Sequence, residues 1–309
     1  MHDHHHHHHA HGSQDNMAVA FFLNLGFAII EFIGGLLTNS TAIMADAVHD
    51  LGDAMSIGFG WLMGNVSGRP ANSNFTYGFR RLSLLSAMIN GLVLIAGTSW
   101  VLYQSIPRLW DPQMPHTAGM LGLAILGIAV NGYAAWRMQG GKTLNEKVLN
   151  WHLLEDMLGW VAVLVVSLVM MVVELPILDP LLAICFSLFI LFNVLRHTAS
   201  SLGLFLQRSP DVKMQQEVEQ ALLSLPQITG FHHLHFWSLD GEKHVLTVHL
   251  VSAQMLSATQ YQALKQAVND QLKPFELAHT TIEIEHPEET CRDQEPTPHD
   301  HHGHCEHSH

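Results

Sequence analysis

Charged side chains are scarce in this sequence of 309 residues. Asp, Glu, Lys and Arg together supply 13 % of it, whereas soluble globular domains carry about 25 %. The scarcity is uneven, because long apolar runs fill the chain up to about residue 207 and an ordinary composition follows. This composition favours a membrane protein with a soluble C-terminal part over an entirely soluble protein.

Paired cysteines and an excess of positive charge are also missing. The three cysteines, Cys185, Cys291 and Cys305, show no paired spacing, so we expect no structural disulfides and a reducing compartment. The formal net charge of −13 argues against nucleic acid as a partner and suits a protein that handles cations. We expect no cleavable signal peptide, because the first apolar run has the length of a full membrane span.

Histidine, by contrast, is abundant, with 25 residues, many of them in two tails. The N-terminal tail contains six consecutive histidines at residues 4–9, and the C-terminal tail interleaves histidine with Asp, Gly, Cys and Glu, unlike an expression tag. Such tracts bind zinc, copper or nickel without a packed fold. We expect a His-rich cytoplasmic tail over residues 1–16 and a disordered His-rich tail over residues 288–309.

Six apolar segments are each long enough to cross a membrane, which takes about 20 residues per helix. They are residues 17–37, 41–63, 82–106, 116–137, 148–173 and 181–206. The loops after spans two, four and six carry nearly all of the basic residues near the spans: Arg69, Arg80, Arg81, Arg137, Lys142, Lys147 and Arg208. The positive-inside rule therefore predicts cytoplasmic termini, with a transmembrane domain over residues 17–208.

Residues 209–287 have the patterns of a small soluble domain, in which strand-like alternation interrupts helical periodicity. The expected elements are a helix at 212–225, strands at 231–239 and 244–252, a helix at 261–272 and a strand at 280–285. The sequence thus predicts a mainly α membrane protein, in which six transmembrane helices precede a small α+β cytoplasmic domain of αββαβ order.

The second span carries ionisable side chains that apolar helices normally exclude. Four of them lie at steps of three, four and seven positions and so share one helix face: Asp46, His49, Asp50 and Asp53. Each costs about 2.5–3.5 kcal/mol to insert at the bilayer centre, so the stripe needs a function. Asp46 and Asp50 are candidates for hydrogen bonding to a metal ligand or for helix packing, and Glu31 and Glu155 for a cation pathway.

The fifth span repeats the pattern of the second. His49 and Asp53, and likewise His152 and Asp156, are one helical turn apart. Two such helices can supply two imidazoles and two carboxylates, a ligand set for tetrahedral zinc. Calcium and magnesium prefer more oxygen ligands, and Cu⁺ prefers sulfur. A buried polar contact or a proton relay is the alternative interpretation of these residues.

A second group of candidate ligands lies in the soluble domain: His232, His249, Glu285 and Cys291. If the two hairpin strands and the last strand pair with one another, these side chains meet and can bind another zinc ion. Alternation along FHHLHFW places His233 on one face of the first strand and His232, with Phe236, nearer the other. Because surface histidines are common, ordinary surface positions are the alternative.

Five segments of the chain are distinctive: ADAVHDLGD in span two, YGFRRLSLLSAMINGLVL up to span three, LNEKVLNWHLLEDMLGWVAVL into span five, DPLLAICFSLFIL in span six and HLHFWSL in the soluble domain. Together they resemble the cation diffusion facilitator family, especially its bacterial zinc exporters with a His-Asp/His-Asp transport site. The likeness extends over residues 17–287. It departs at Asp50, where related members often have Asn, and at residues 139–147, which lack the His-rich loop of eukaryotic relatives.

The resemblance implies a homodimer in the bacterial inner membrane, with a ferredoxin-like cytoplasmic domain and zinc–proton antiport. It implies two ligand sets, one for transport and one in the cytoplasmic domain: His49, Asp53, His152 and Asp156, and His232, His249, Glu285 and Cys291. The expected function is export of a divalent cation, foremost Zn²⁺, in exchange for protons, without catalysis. A membrane-anchored metal sensor or buffer is the alternative, and a metalloenzyme is a weaker one because no HExxH run is present.

Overall fold

The structure of the chain is a computed structural model, which describes residues 10–67, 69–138, 144–275 and 277–291. Within these ranges, the side chains of residues 10–16, 64, 65, 67, 137, 138 and 144–153 are not described. The chain divides into two compact units, here called the helical unit (Met1–Val66 and Ser86–Ala199) and the mixed unit (Ser67–Leu85 and Ser200–His309).

Six long helices come first in the chain. They are α1 (Ala10–Thr38), α2 (Thr41–Ser67), α3 (Leu82–Ser105), α4 (Thr117–Met138), α5 (Leu144–Val172) and α6 (Leu178–Phe205). A single 3₁₀ turn, Pro107–Leu109, follows α3, where the proline removes a backbone N–H and ends the α-helix. The first helix begins at Ala10, earlier than the span predicted from residue 17.

Five of these helices contain segments that are long and apolar enough to cross a membrane, within the ranges that the structure describes. Only 11–33 % of each apolar segment is buried inside the protein, so most of the apolar surface faces outward, as contact with lipid requires. The remaining helix, α2, has 27 residues but carries Asp46, Asp50 and Asp53, which lower its hydropathy.

The start of α2 is fixed by one carboxylate at the start of α6. Asp179, 1 % exposed, accepts hydrogen bonds from the hydroxyls of Ser40 (2.5 Å) and Thr41 (2.8 Å) and from the backbone N–H groups of Thr41 (2.7 Å) and Ala42 (3.3 Å). These N–H groups belong to the first turn of α2 and have no acceptor within the helix. A negative charge is also favourable at a helix N-terminus. Asp179 therefore sets the position of α2 relative to α6.

The core of the helical unit forms where small side chains of one helix face large side chains of another. Trp160 of α5, 1 % exposed, packs with Phe27 at a ring-centroid distance of 6.3 Å. Gly127 of α4 leaves room for the Trp160 indole, because a Cβ atom at residue 127 would overlap the ring. Close approach of this kind is how membrane helices pack without a hydrophobic force between them.

The mixed unit contains α7 (Val212–Leu223), β1 (Ile228–Ser238), β2 (His244–Ser252), α8 (Ala258–Leu272) and β3 (Leu277–Glu285). The sheet has the order β1-β2-β3, with β1 antiparallel and β3 parallel to β2. Its apolar face packs on α7 and α8 around Phe231, Leu246 and Leu250, which are fully buried. The predicted architecture, long membrane-type helices followed by a small αββαβ domain, is confirmed.

One detail of β1 differs from the expected alternation. His232 pairs with His249 and His235 pairs with Thr247, so three steps along β1 face two steps along β2. The extra residue is a β-bulge, and His233 within it has a φ of 49°. Phe236 consequently lies in the core, whereas His232 lies on the other face, beside His249. The prediction that His232 and Phe236 share a face is wrong, because strict alternation ignores a bulge.

Replacing Asp179 by alanine is expected to destabilise the protein. The change leaves two hydroxyls and two backbone N–H groups buried without their acceptor. We expect the unfolding temperature of the purified protein in detergent to fall by about 5 °C or more. Asp111→Ala removes an exposed carboxylate between α3 and α4 and serves as the control. Equal unfolding temperatures for the two variants would show that the Asp179 contacts contribute nothing.

Candidate metal sites

The helical unit brings together three of the four residues of the first predicted site. His49 and Asp53 project from successive turns of α2, and Asp156 projects from α5. The Nε2 atom of His49 lies 3.8 Å from Oδ2 of Asp53 and 3.7 Å from Oδ1 of Asp156. One ligand atom from each residue lies within 4.8 Å of the others. A tetrahedral zinc ion requires ligand–ligand separations of about 3.3–3.8 Å, so only small rotations are needed.

The fourth predicted residue, His152, lies on the described backbone of α5, but its side chain is outside the described part of the chain. Its position is one helical turn before Asp156, so it is on the same face of α5. The backbone therefore puts His152 on the face that carries Asp156, as the repeated spacing predicted.

A cavity of about 220 Å³ lies beside this cluster. Four ionisable residues contribute to its wall, namely Asp46, His49, Glu155 and Asp156. The rest of the wall is apolar and includes Phe186, Phe189 and Ile190 of α6. The side chains of His49 and Asp53 are 26 % and 28 % exposed, whereas that of Asp156 is 10 % exposed. The cluster is thus accessible to an ion on the α2 side and enclosed on the α5 side.

Further carboxylates are buried in the helical unit. Glu31 of α1 is 1 % exposed, and Asp46 and Asp50 of α2 are 6 % and 8 % exposed. Within the described ranges, Oδ2 of Asp46 has no hydrogen-bond partner, and the Glu31 carboxyl lies beside that of Asp50. Burying a carboxylate without a partner is unfavourable by several kcal/mol or more, so a bound cation or a proton would stabilise this region.

The mixed unit brings together all four residues of the second predicted site. The Glu285 carboxylate lies 3.0 Å from His232 Nε2 and 2.8 Å from His249 Nδ1, and the Cys291 sulfur lies 3.5 Å from His249 Nδ1. One ligand atom from each of the four residues falls within 4.8 Å of the others. Two imidazoles, a carboxylate and a thiolate are a ligand set for tetrahedral zinc, and the two His–Glu contacts would lengthen by about 0.3–0.5 Å around the ion.

Two residues near this cluster were not among the predicted ligands. Glu283 of β3 has Oε2 3.7 Å from His249 Nε2, on the side of the ring opposite to Glu285. The His233 ring lies 5.2 Å from the rings of both His232 and His249, measured between centroids. The alternating pattern of residues 280–285 could have indicated Glu283, since its side chain shares a face with Glu285. The position of His233 near the cluster could not be predicted without knowing that β1 contains a bulge.

Comparisons with known proteins agree with this architecture. Residues 17–206 match the cation efflux transmembrane domain, and residues 210–287 match the cytoplasmic domain of cation efflux proteins. The two matches leave out only the terminal segments and three linking residues, and they include α2 in the transmembrane domain.

Several relatives are similar to this chain over most of their length. A cadmium, cobalt and zinc/H⁺-K⁺ antiporter of Bacillus subtilis is 30 % identical over 273 residues, which is 87 % of this chain and 88 % of the relative. The zinc transporter ZitB of Pectobacterium atrosepticum is 30 % identical, with 89 % and 86 % covered. The metal cation efflux system protein CzcD of Cupriavidus metallidurans is also 30 % identical, with 92 % and 89 % covered. The chain therefore belongs to the cation efflux, or cation diffusion facilitator, family of membrane transporters.

Proposed function

We propose that the protein exports Zn²⁺ from the cytoplasm in exchange for protons. The observation that carries this proposal is the meeting of His49, Asp53 and Asp156 between two membrane-type helices, next to a cavity. His152, one turn from Asp156, is the proposed fourth ligand. In this proposal residues 17–208 form the transport domain, and α2 and α5 move so that the loaded site opens alternately to each side.

Zinc is the proposed cargo because the ligand set lies between hard oxygen ligands and soft sulfur ligands. Imidazole and carboxylate ligands in a group of four suit Zn²⁺, whereas Mg²⁺ and Ca²⁺ usually take six or more oxygens. The ions in the relatives' names, cadmium, cobalt and zinc, all accept nitrogen and oxygen ligands, and zinc is common to the two relatives named for particular metals. In this proposal, Zn²⁺ is carried and not used for catalysis.

Proton exchange follows from the energetics and the ligands together. An inside-negative potential of 100 mV opposes the export of a divalent cation by about 4.6 kcal/mol, twice about 2.3 kcal/mol per charge. Each entering proton offsets half of this electrical term. Imidazole and carboxylate must lose protons before they bind metal, so protons and Zn²⁺ compete for the same atoms. A protonated site returning inward would therefore complete the cycle, with His49 and His152 as the proposed proton carriers.

The mixed unit is proposed to be a cytoplasmic domain (residues 209–287) that binds Zn²⁺ and joins two protomers. Zinc at His232, His249, Glu285 and Cys291 would then connect β1, β2, β3 and the segment after β3. The excess of Arg and Lys in the loops after spans two, four and six supports a cytoplasmic location for this domain, both termini and the His-rich tails 1–16 and 288–309. The proposed location is the bacterial inner membrane.

A membrane-anchored metal buffer is the alternative favoured by a specific observation, the complete four-residue cluster of the mixed unit. A buffer does not need ligands inside the helical unit, where their burial is unfavourable. The presence of His49, Asp53 and Asp156 there is explained by transport and not by storage.

Substitution of either carboxylate ligand in the helical unit is expected to abolish transport. Asp53→Ala or Asp156→Ala removes an anionic ligand, so zinc uptake into inside-out vesicles should fall below about a tenth of the wild-type rate. The measurement requires equal amounts of inserted protein, and Asp270→Ala, an exposed change on α8, is the matched control. Wild-type uptake by both ligand variants would refute the transport path through this site.

Collapse of the proton gradient is expected to slow zinc uptake in the same vesicles. Protons and zinc share ligands in the proposed cycle, so dissipating the pH gradient with a protonophore should lower the initial rate several-fold. A separate recording of the luminal pH without the protonophore should show that the vesicle lumen becomes more alkaline after zinc is added, because protons leave as zinc enters. Zinc uptake that is indifferent to the protonophore and unaccompanied by proton release would mean that another ion, or none, is exchanged.

Removal of the thiol in the mixed unit is expected to weaken the proposed second zinc site, which is measured in a background that lacks the carboxylates of the proposed transport site. Cys291→Ala in the Asp53→Ala and Asp156→Ala background should lower zinc affinity at this site about tenfold or more, measured by competition with a chelating dye. His235→Ala changes an exposed histidine of β1 outside the cluster and should leave this affinity unchanged. Identical titrations for the two variants would remove Cys291 from the site.

A further inference from the structure

A second cavity, with a volume of about 670 Å³, lies within the mixed unit and away from the metal cluster. Its wall combines the segment before α3 with the β1–β2 turn and the beginning of β3. Leu239 and Leu277 form its apolar part. Its polar lining is dominated by cationic and hydrogen-bonding side chains, namely Thr76, Tyr77, Arg80, Lys243 and His279.

Arg80 is held in the wall by an ion pair. Its Nη1 atom donates to Oδ2 of Asp240 at 3.1 Å. The other carboxylate oxygen of Asp240 accepts from the backbone N–H groups of Glu242 (3.0 Å) and Lys243 (2.7 Å). Partial burial raises the pKa of Asp240, but these two N–H groups and Arg80 outweigh it, so the pKa lies below its ordinary value. Asp240 is therefore an anion that orients Arg80, and this contact uses only part of the five guanidinium N–H donors.

His279 and Tyr77 form another part of the wall. Their rings meet edge to face at a centroid distance of 5.7 Å, and His279 Nε2 lies 3.4 Å from the Thr281 hydroxyl. These contacts orient the imidazole beside the phenol, which can also donate a hydrogen bond. Guanidinium, ammonium, imidazole and hydroxyl groups around one cavity are the donors that bind phosphate oxygens.

The chain segment that precedes α3 and forms part of the wall is also positively charged. Residues 67–85 include Arg69, Arg80 and Arg81 and no Asp or Glu. The segment also leads directly into a membrane span, since Arg80 precedes by two residues the apolar segment that begins at Leu82. Basic residues next to the cytoplasmic end of a span are attracted to anionic lipid headgroups by about 1 kcal/mol each.

We propose that this cavity binds a phosphate group through Arg80, Lys243 and His279, with an anionic phospholipid headgroup or a free phosphate as its source. Arg80 and Lys243 provide the charge, while His279 and Tyr77 provide directed hydrogen bonds. The apolar Leu239 and Leu277 suit the carbon-containing part of a lipid headgroup better than they suit an inorganic ion. This site is independent of the metal cluster and of zinc transport.

The test compares full-length wild-type protein with Lys243→Ala/His279→Ala, which removes two cavity donors and leaves the Arg80–Asp240 pair intact. The matched control is Lys265→Ala/His235→Ala, which removes the same two side-chain types from exposed positions on α8 and β1. Thermal unfolding in detergent is measured against increasing phosphatidylglycerol, phosphatidylcholine or sodium phosphate, with sodium chloride at equal ionic strength as the reference.

Phosphatidylglycerol is expected to raise the unfolding temperature of the wild type and the control by about 3 °C. The cavity variant should need at least about fivefold more phosphatidylglycerol to reach the same rise in unfolding temperature. This factor corresponds to the loss of one cation near a membrane. A response to phosphatidylglycerol alone identifies a lipid headgroup as the source, and an equal response to sodium phosphate identifies free phosphate.

Equal lipid and phosphate responses in the wild type, the cavity variant and the control would overturn the proposal, as would equal protection by phosphatidylcholine. If the cavity variant does not fold, Lys243→Met replaces it, because this change removes the ammonium group while it keeps the unbranched stem of the side chain and the backbone donor to Asp240. The same weakening is then expected, and its absence has the same meaning.

Discussion

The organisation of the helical unit depends on the unfavourable free energy of placing ionisable groups in an apolar environment. Asp156 is 10 % exposed, and Glu31, Asp46 and Asp50 are buried further. Apolar packing alone would replace such residues by Leu or Val, which are stable there without partners. Their burial between helices whose outer surfaces are apolar is unfavourable when they are charged and unpaired, and a bound cation or protons would offset that free energy. A cation carrier needs this property, because its empty site must be the less favourable state.

The two candidate metal clusters both combine imidazole and carboxylate groups, which they present from different backbones. In the helical unit, helices with residues at i and i+4 present ligands on one face, and Asp179 holds the beginning of α2 against α6. In the mixed unit, the ligands come from three strands and the segment after them. His249 is at the centre of that cluster, with Glu285 at Nδ1 and Glu283 facing Nε2. Helical ligands suit a site that moves, whereas ligands across a hydrogen-bonded sheet suit a site that stays fixed.

Much of this arrangement was predictable from periodicity. The order of helices and strands followed from apolar runs and alternation, and the spacing of His49 and Asp53 placed both on one face of α2. The sequence could not reveal Asp179, because its role depends on where α6 meets α2, 139 positions from Ser40. Nor could it reveal the bulge at His233, since an extra residue in a strand leaves no mark in composition. The cavity at Arg80 likewise depends on a loop meeting a distant turn.

The bulge in β1 also determines which side chains of this strand lie beside His249 in the cluster of the mixed unit. Three steps from His232 to His235 face two steps from His249 to Thr247, so the chain has one residue more than a regular ladder needs. Deleting a single codon between His232 and His235 would restore a regular ladder and change which side chains face His249. The candidate metal cluster thus depends on the number of residues in β1 as well as on their identity, and an insertion or deletion there can abolish it while every candidate ligand is retained.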